Sequence, residues 1–368
     1  MTIAKRLGLD KSLASKVVRA AKAVDPLMVV HEAPAAAGLA MVAQAAHRAG
    51  AADAAIARLD ASAERLIKAI DGFPGGRDGL DVALTKTVPE LREASQKKSR
   101  RTMYKAMVNL TGFDVETLYV AYWYMPSESE PDRCDSAWVT WNHGLARYKS
   151  QGQMLLGGIM APESDREPNR YSFADGSVIR DPRKMVLPEC TTVDPSNLSV
   201  HRYGRVLALA LGEDTPPMGE RVDVAQGSWS TMVETRYRRP GRNYELLQIA
   251  RRRPTRTLLA DFFLGPGVFG DAEPMIASRL SGIPFEPSEL GPQESPFDLA
   301  EEPCELRSID PTRSMRAPEA PGLDELIGSV HRSRGWDPGS MRAWRLRIEY
   351  PLPSIDTMVW FKLPEPPA

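Results

Sequence analysis

The chain has three cysteines, Cys134, Cys190 and Cys304, and they lie far apart. No pair has the Cys-x-x-Cys spacing of a zinc or redox site, and three are too few for a disulfide framework. Histidine is also scarce, with five in 368 residues and no spacing that would pair two on a metal. Net charge is nearly absent, at −1. This excludes a surface that binds nucleic acid everywhere, so any such role is local. Long apolar runs are missing as well. The Ala-rich stretch from Pro34 to Ala46 is too short to span a bilayer and gives way to His47 and Arg48. Neither a Gly-Lys-[Ser/Thr] phosphate loop nor a Gly-x-Ser-x-Gly nucleophile elbow occurs, and no dinucleotide-binding glycine pattern is expected. These absences point to no metal, no cofactor, no catalytic set and no membrane. The charged, amphipathic start is no signal peptide, and the sparse cysteines suit a reducing cytoplasm.

What is present is concentrated at the start. Residues 3–20 read Ile-Ala-Lys-Arg-Leu-Gly-Leu-Asp-Lys-Ser-Leu-Ala-Ser-Lys-Val-Val-Arg-Ala. Ile3, Ala4 and Leu7 make a one-turn apolar face at helical spacing. Gly8 falls where that helix must stop, because glycine takes the left-handed conformation without steric cost. Leu9 plugs the gap, and Asp10 is placed to cap a second helix. Ala14, Val17 and Val18 form its inward face. Lys11, Ser12, Leu13, Ser15, Lys16 and Arg19 are left to face outward. Residues 1–22 carry six basic side chains and one acidic one.

This run, Ile3-Ala4-Lys5-Arg6-Leu7-Gly8-Leu9-Asp10-Lys11-Ser12-Leu13-Ala14-Ser15, resembles the two-helix core of bacterial helix-turn-helix transcriptional regulators. The resemblance covers about twenty residues. It implies that the second helix enters a DNA major groove. Ser12 and Ser15 would bond base edges or phosphates, and Leu13 would touch a thymine methyl. Lys5, Arg6, Lys11, Lys16 and Arg19, with Lys22 beyond them, would meet the backbone. The sequence departs from the family in two places. Ala14 stands where a branched apolar residue is commoner, and the helix that precedes the pair in such domains is absent. The second departure implies a start upstream of Met1, or loss of that helix.

The expected fold class is α+β, with an N-terminal helix-turn-helix and helical domain followed by a mainly antiparallel β-rich domain. The expected segments are 1–31 (helix-turn-helix), 32–112 (helical, a candidate for dimerisation) and 113–368 (β-rich, for sensing or partner binding). Residues 27–31 read as a short strand or a packing surface. Helices are expected from Pro34 to Arg48, Ala52 to Ile70, Leu80 to Lys86 and Pro89 to Leu110, with a loop over Phe73–Gly79. The helix from Pro89 carries Lys97, Lys98, Arg100, Arg101 and Lys105, read as a solvated face or an auxiliary DNA contact. Expected strands are Val115–Met125, Trp138–Tyr148, Gln153–Met160, Val206–Leu211, Arg221–Val224, Ser230–Tyr237, Tyr244–Ala250 and Leu258–Leu264. Asp175-Gly176 signals a hairpin, and Arg239–Arg242 a turn between antiparallel strands. Residues 284–321 read as a long loop and Leu323–Arg332 as a short helix. Trp344–Tyr350 reads as a strand paired with Thr357–Leu363.

Three features of the β-rich part bear on chemistry. Aromatic residues cluster at Tyr119, Tyr122, Trp123, Tyr124, Trp138, Trp141 and Tyr148, beside Asn142 and His143. They read as core, or as a ligand pocket. His143 is the best-placed acid-base histidine, but no partner for it is legible. Eight arginines between residues 236 and 256 face one Glu245. They read as solvated strand ends, or as a second surface for anions. Together these readings favour a sequence-specific DNA-binding transcriptional regulator. Its partners would be double-stranded DNA, a second copy of the chain and a small-molecule effector. The rival is a small-molecule-binding protein or enzyme whose β-rich part is active and whose N-terminal helices are structural.

Overall fold

The computed structural model describes residues 3–149, 152–160, 169–280, 289–293, 299–300 and 302–367. The protein is α+β, and the chain divides into two compact units, residues 1–98 and 99–368. The first holds α1 (Ile3–Leu7), α2 (Lys11–Lys22), α3 (Pro26–Glu32), α4 (Ala36–Arg48), α5 (Asp53–Asp71) and α6 (Gly76–Thr87). The division falls within α7 (Pro89–Thr111). Among the described residues no single helix is long and apolar enough to cross a membrane.

Residues 27–31 are helical, not a strand. Asp25 accepts from the Leu27 amide at 2.8 Å and Pro26 opens the first turn, so local capping outweighs the branched residues that follow. The helix expected from Leu80 begins earlier, at Gly76. Of the expected apolar stripe Ala52, Ile56, Leu59, Ala63, Leu66, Ile67 and Ile70, Ala52 precedes α5 and is exposed, and the other six are half-buried. Leu9, Ala14, Val42 and Ala45 form a small core, with Leu59 against it. Packing therefore continues across the divide expected at residue 31.

The second unit holds β1 (Phe113–Pro126), β2 (Arg133–Arg147), β3 (Met154–Met160), β4 (Arg170–Tyr171), β5 (Leu198–Tyr203), β6 (Val206–Leu211), β7 (Arg221–Thr235), β8 (Tyr244–Ile249), β9 (Thr255–Leu264), β10 (Met275–Leu280), β11 (Leu299–Ala300), β12 (Glu305–Ile309), α8 (Leu323–Arg334), β13 (Arg342–Glu349) and β14 (Ile355–Lys362). A seven-stranded sheet runs β12-β13-β9-β1-β2-β7-β4. Beside it stand a four-stranded sheet, β11-β10-β14-β8, and a three-stranded one, β3-β6-β5. Among the described residues β1 and β9 pair in parallel and the other strand pairs are antiparallel.

The period of two along β1 and β2 sorts their side chains onto two faces. Tyr119, Ala121, Trp123, Val139 and Trp141 pack beneath Leu323, Leu326, Ile327 and Val330 of α8. Val120, Tyr124, Phe262 and Trp344 face the other way, against Leu247, Val359 and Phe361 of the four-stranded sheet. Met154, Leu156, Leu209 and Leu211 of the three-stranded sheet cover Val115, Leu145 and Val224. Within the seven-stranded sheet, Arg345 grips Asp261 through two bonds of 2.8 and 2.7 Å, and Tyr119 donates to the same carboxylate at 3.0 Å.

Several elements differ from expectation. Arg221–Val224 and Ser230–Thr235 belong to one strand, β7, and Arg236 and Tyr237 lie beyond its end. The apparent break is Gly227, where a Cβ would lie 2.6 Å from the Trp138 carbonyl oxygen. The turn at Arg239–Arg242 exists, but it joins β7 to a strand of a different sheet. The loop expected over 284–321 lies partly outside the described residues, and β12 lies within it, paired with β13. Strands β13 and β14 do not pair. They stack in separate sheets, with Trp344 and Phe361 rings 6.0 Å apart. The chain turns between sheets at Tyr350 and Ser354, both with positive φ. Finally, Gly265-Pro266-Gly267-Val268-Phe269-Gly270 does have dinucleotide-type glycine spacing, against expectation. Turns and β10 follow it instead of a helix, and Arg342 donates to its carbonyls at Val268 and Gly270, so it is a structural loop.

Candidate functional site

The N-terminal helix pair is built as its residues dictate. Gly8 sits at φ +62°, and the Leu9 amide reaches back to the Ala4 carbonyl at 3.0 Å, closing α1. Asp10 caps α2 by accepting from the Ser12 amide at 2.7 Å and the Leu13 amide at 3.3 Å. Its bonds to the Ser12 side chain and to these amides hold its carboxyl below the usual range. The carboxylate also complements the positive end of the helix. Ala14 and Leu9 are buried against Val42 and Ala45 of α4. A wall for the pair thus comes from the C-terminal side.

The outward set divides in two. Lys5, Arg6, Lys11, Ser12, Ser15, Lys16 and Arg19 are exposed. Leu13 is not among them. It is half-buried and packs on the same core as Ala14 and Val17. A Cβ at Gly38 of α4 would lie 3.1 Å from its Cδ1. The reason is angular. At roughly 100° per residue Leu13 falls between Val17 and Ala20, on the side opposite Lys11. The remaining residues, Lys11, Lys22, Ser15, Arg19, Ser12 and Lys16, follow one another around an arc of roughly 140°. Arg19 is already engaged: its Nε donates to Glu32 of α3 at 2.8 Å and its Nη1 to Ser15 at 3.2 Å.

The β-rich unit separates its aromatic residues by strand alternation. Tyr119, Trp123 and Trp141 are core, and burial pushes the Tyr119 hydroxyl well above its usual range. Trp123 donates to His331 of α8 at 3.0 Å, and burial lowers that imidazole to about 4. His143 does gain a neighbour. Its Nδ1 lies 2.9 Å from Asp223, which sequence did not single out and which also accepts from the Gly144 amide at 2.7 Å.

The arginines of 236–256 do not form one surface. Arg242 bonds both Glu234 and Glu245, Arg251 is buried on Glu302 at 2.6 Å, and Arg238 meets Glu365 at 2.5 Å. Burial and then the Glu234 charge push the Glu245 carboxyl up to about 7. Arg252 and Arg253 are different. They line a cleft of about 940 Å³ on the β1–β2 face, between the two smaller sheets. Arg253 donates to Asn142 at 3.3 Å, and burial, then the Arg252 charge, lower its guanidinium to about 10. Asn142 lay within the aromatic cluster of the sequence. Gln226 and Arg170, which also line the cleft, gave no signal there.

Comparison of the chain with known protein families gives no match, and comparison with curated proteins gives no relative.

Proposed function

We propose that the chain is a cytoplasmic transcriptional regulator that binds double-stranded DNA through α2. The observation that supports this is the exposed arc of Lys11, Ser12, Ser15 and Lys16, with Lys5 and Arg6 of α1 beside it. Lysines at this spacing suit phosphates, and the two serine hydroxyls suit base edges or further phosphate oxygens. A glycine-closed α1, a capped α2 and a packed Leu13 hold the arc in place. The β-rich unit is then the place for an effector or partner, and a two-fold DNA site would be read by two copies.

The test is fluorescence anisotropy on the whole chain with a duplex of genomic sequence, titrated across salt concentrations. Lys11→Ala and Lys16→Ala each lower affinity and flatten the plot of log K against log salt by roughly 0.9. Affinity and slope unchanged in both variants would overturn the reading.

A further inference from the structure

The cleft on the β1–β2 face has an ordered floor. Register places Leu118 opposite Asn142, Val120 opposite Thr140 and Tyr122 opposite Trp138. Gln226 of β7 continues the row at Thr140. One end of the floor is thus polar, beside Arg253, and the other is aromatic. The lining contains Lys149, Arg170, Arg252 and Arg253 and, among the described residues, no aspartate or glutamate. No carboxylate partner for Arg253 stands among the described residues.

Two amide atoms on this floor are buried and lack hydrogen-bond partners among the described residues: Asn142 Nδ2 and Gln226 Oε1. Asn142 is 1% exposed and Gln226 2%. Their orientation follows from the bonds they do make. Asn142 Oδ1 accepts from Arg253, which leaves its NH2 as a free donor. Gln226 Nε2 donates to the Leu156 carbonyl at 3.1 Å, which leaves its oxygen as a free acceptor. Orphaned buried groups of this kind call for a partner. A part-buried guanidinium with no counter-charge among the described residues, as at Arg253, calls for an anion, and the exposed Arg252 adds positive charge beside it.

We propose that this cleft binds a small organic anion. Its acidic head, a carboxylate or a phosphate, sits between Arg253, Arg252 and Asn142 Nδ2. A hydroxyl or N–H group of the ligand donates to Gln226 Oε1. A flat apolar body lies against Tyr122 and Trp138. The volume is at the upper end of the roughly 300–1,000 Å³ range of small-molecule sites, so a body of two fused rings with a substituent is accommodated. Of the eight-arginine stretch, Arg236, Arg238, Arg242 and Arg251 are engaged elsewhere and only Arg252 and Arg253 line the cleft, so its anion selectivity rests on these two.

The test uses the whole chain and the fluorescent aromatic sulfonate 1-anilinonaphthalene-8-sulfonate as probe. Adenosine 5′-monophosphate and benzoate serve as displacing anions, with adenosine and inorganic phosphate as the headless and bodiless controls. The expected result is one saturable probe site. At least one anion displaces the probe, and each control is at least tenfold weaker than that anion. Whichever anion competes identifies the head. Arg253→Gln weakens probe and displacer at least tenfold. Arg252→Gln, at an exposed side chain, weakens them several-fold and decides the matter if Arg253→Gln does not fold. Lys16→Ala leaves both unchanged. Displacement by adenosine as strong as by the monophosphate, displacement by neither anion, or unchanged affinity in the folded arginine variants would overturn the proposal. The assay contains no DNA, so its outcome and that of the DNA titration are independent.

Discussion

Leu13 shows how one residue's angle changes its role. A face-by-face reading of 3–20 puts it outward with the lysines, where it would touch a thymine methyl. Its contacts with α4 make it part of the small core instead. Leu13→Ala is therefore expected to destabilise the first unit by about 1 kcal/mol, roughly half the value for fully burying a leucine. Bound to DNA, the folded variant keeps its preference at every base position. Thermal melting followed by binding to a panel of single-base variants checks both parts. A loss of discrimination at one thymine, with stability unchanged, would restore the outward role.

At the scale of elements, α2 and α3 act on each other. Glu32 draws Arg19 across to α3, so the arc's central arginine is less available to phosphate than its neighbours. Arg19→Ala is expected to flatten the salt dependence of DNA binding less than Lys16→Ala does. Measured slopes for the two variants decide this, and equal slopes would mean that Arg19 leaves Glu32 on binding.

The elements that sequence reveals well are those fixed locally. The glycine stop at Gly8, the aspartate cap at Asp10, the stripe of α5 and the strict run of β6 all lie within a few residues of their cause. The missed elements depend on distant partners. Strand β12 is mostly exposed along its length, so alternation cannot mark it, and its backbone pairing with β13 creates it. The separation of β13 from β14 depends on which sheet each joins, and their similar patterns say nothing of that. In the candidate cleft, a period of two would have divided the aromatic cluster and placed Asn142 with Tyr122 and Trp138. Gln226 and Arg253 reach it through β2–β7 register and the turn before β9, which no local spacing encodes.

At the scale of the whole molecule, two buried titrating groups set opposing pH dependences. His331 is held at about 4, below the 6.5 of a free imidazole. Between these values the unfolded chain binds more protons, so stability falls as pH drops through that window. Glu245 is held at about 7, above its usual 4.5. Between these values the folded chain binds more protons, so stability is full below 4.5 and is lost as pH rises toward 7. Each shift corresponds to about 3 kcal/mol at most. The two slopes oppose one another between 4.5 and 6.5. The intact protein is expected to show a flat Tm there. Glu245→Gln removes one slope, so its Tm falls steadily on acidification from 6.5. A variant profile as flat as the parent's would mean that His331 does not titrate as described.

A transcriptional regulator of the proposed kind must bind DNA through α2 in a sequence-dependent way. The most direct measurement is selection of genomic DNA fragments by the whole chain at physiological salt, repeated with Lys11→Ala and Lys16→Ala. The expected result is a recurring sequence whose enrichment falls in both variants. Fragments recovered without a common sequence, or equally well by the variants, would contradict it.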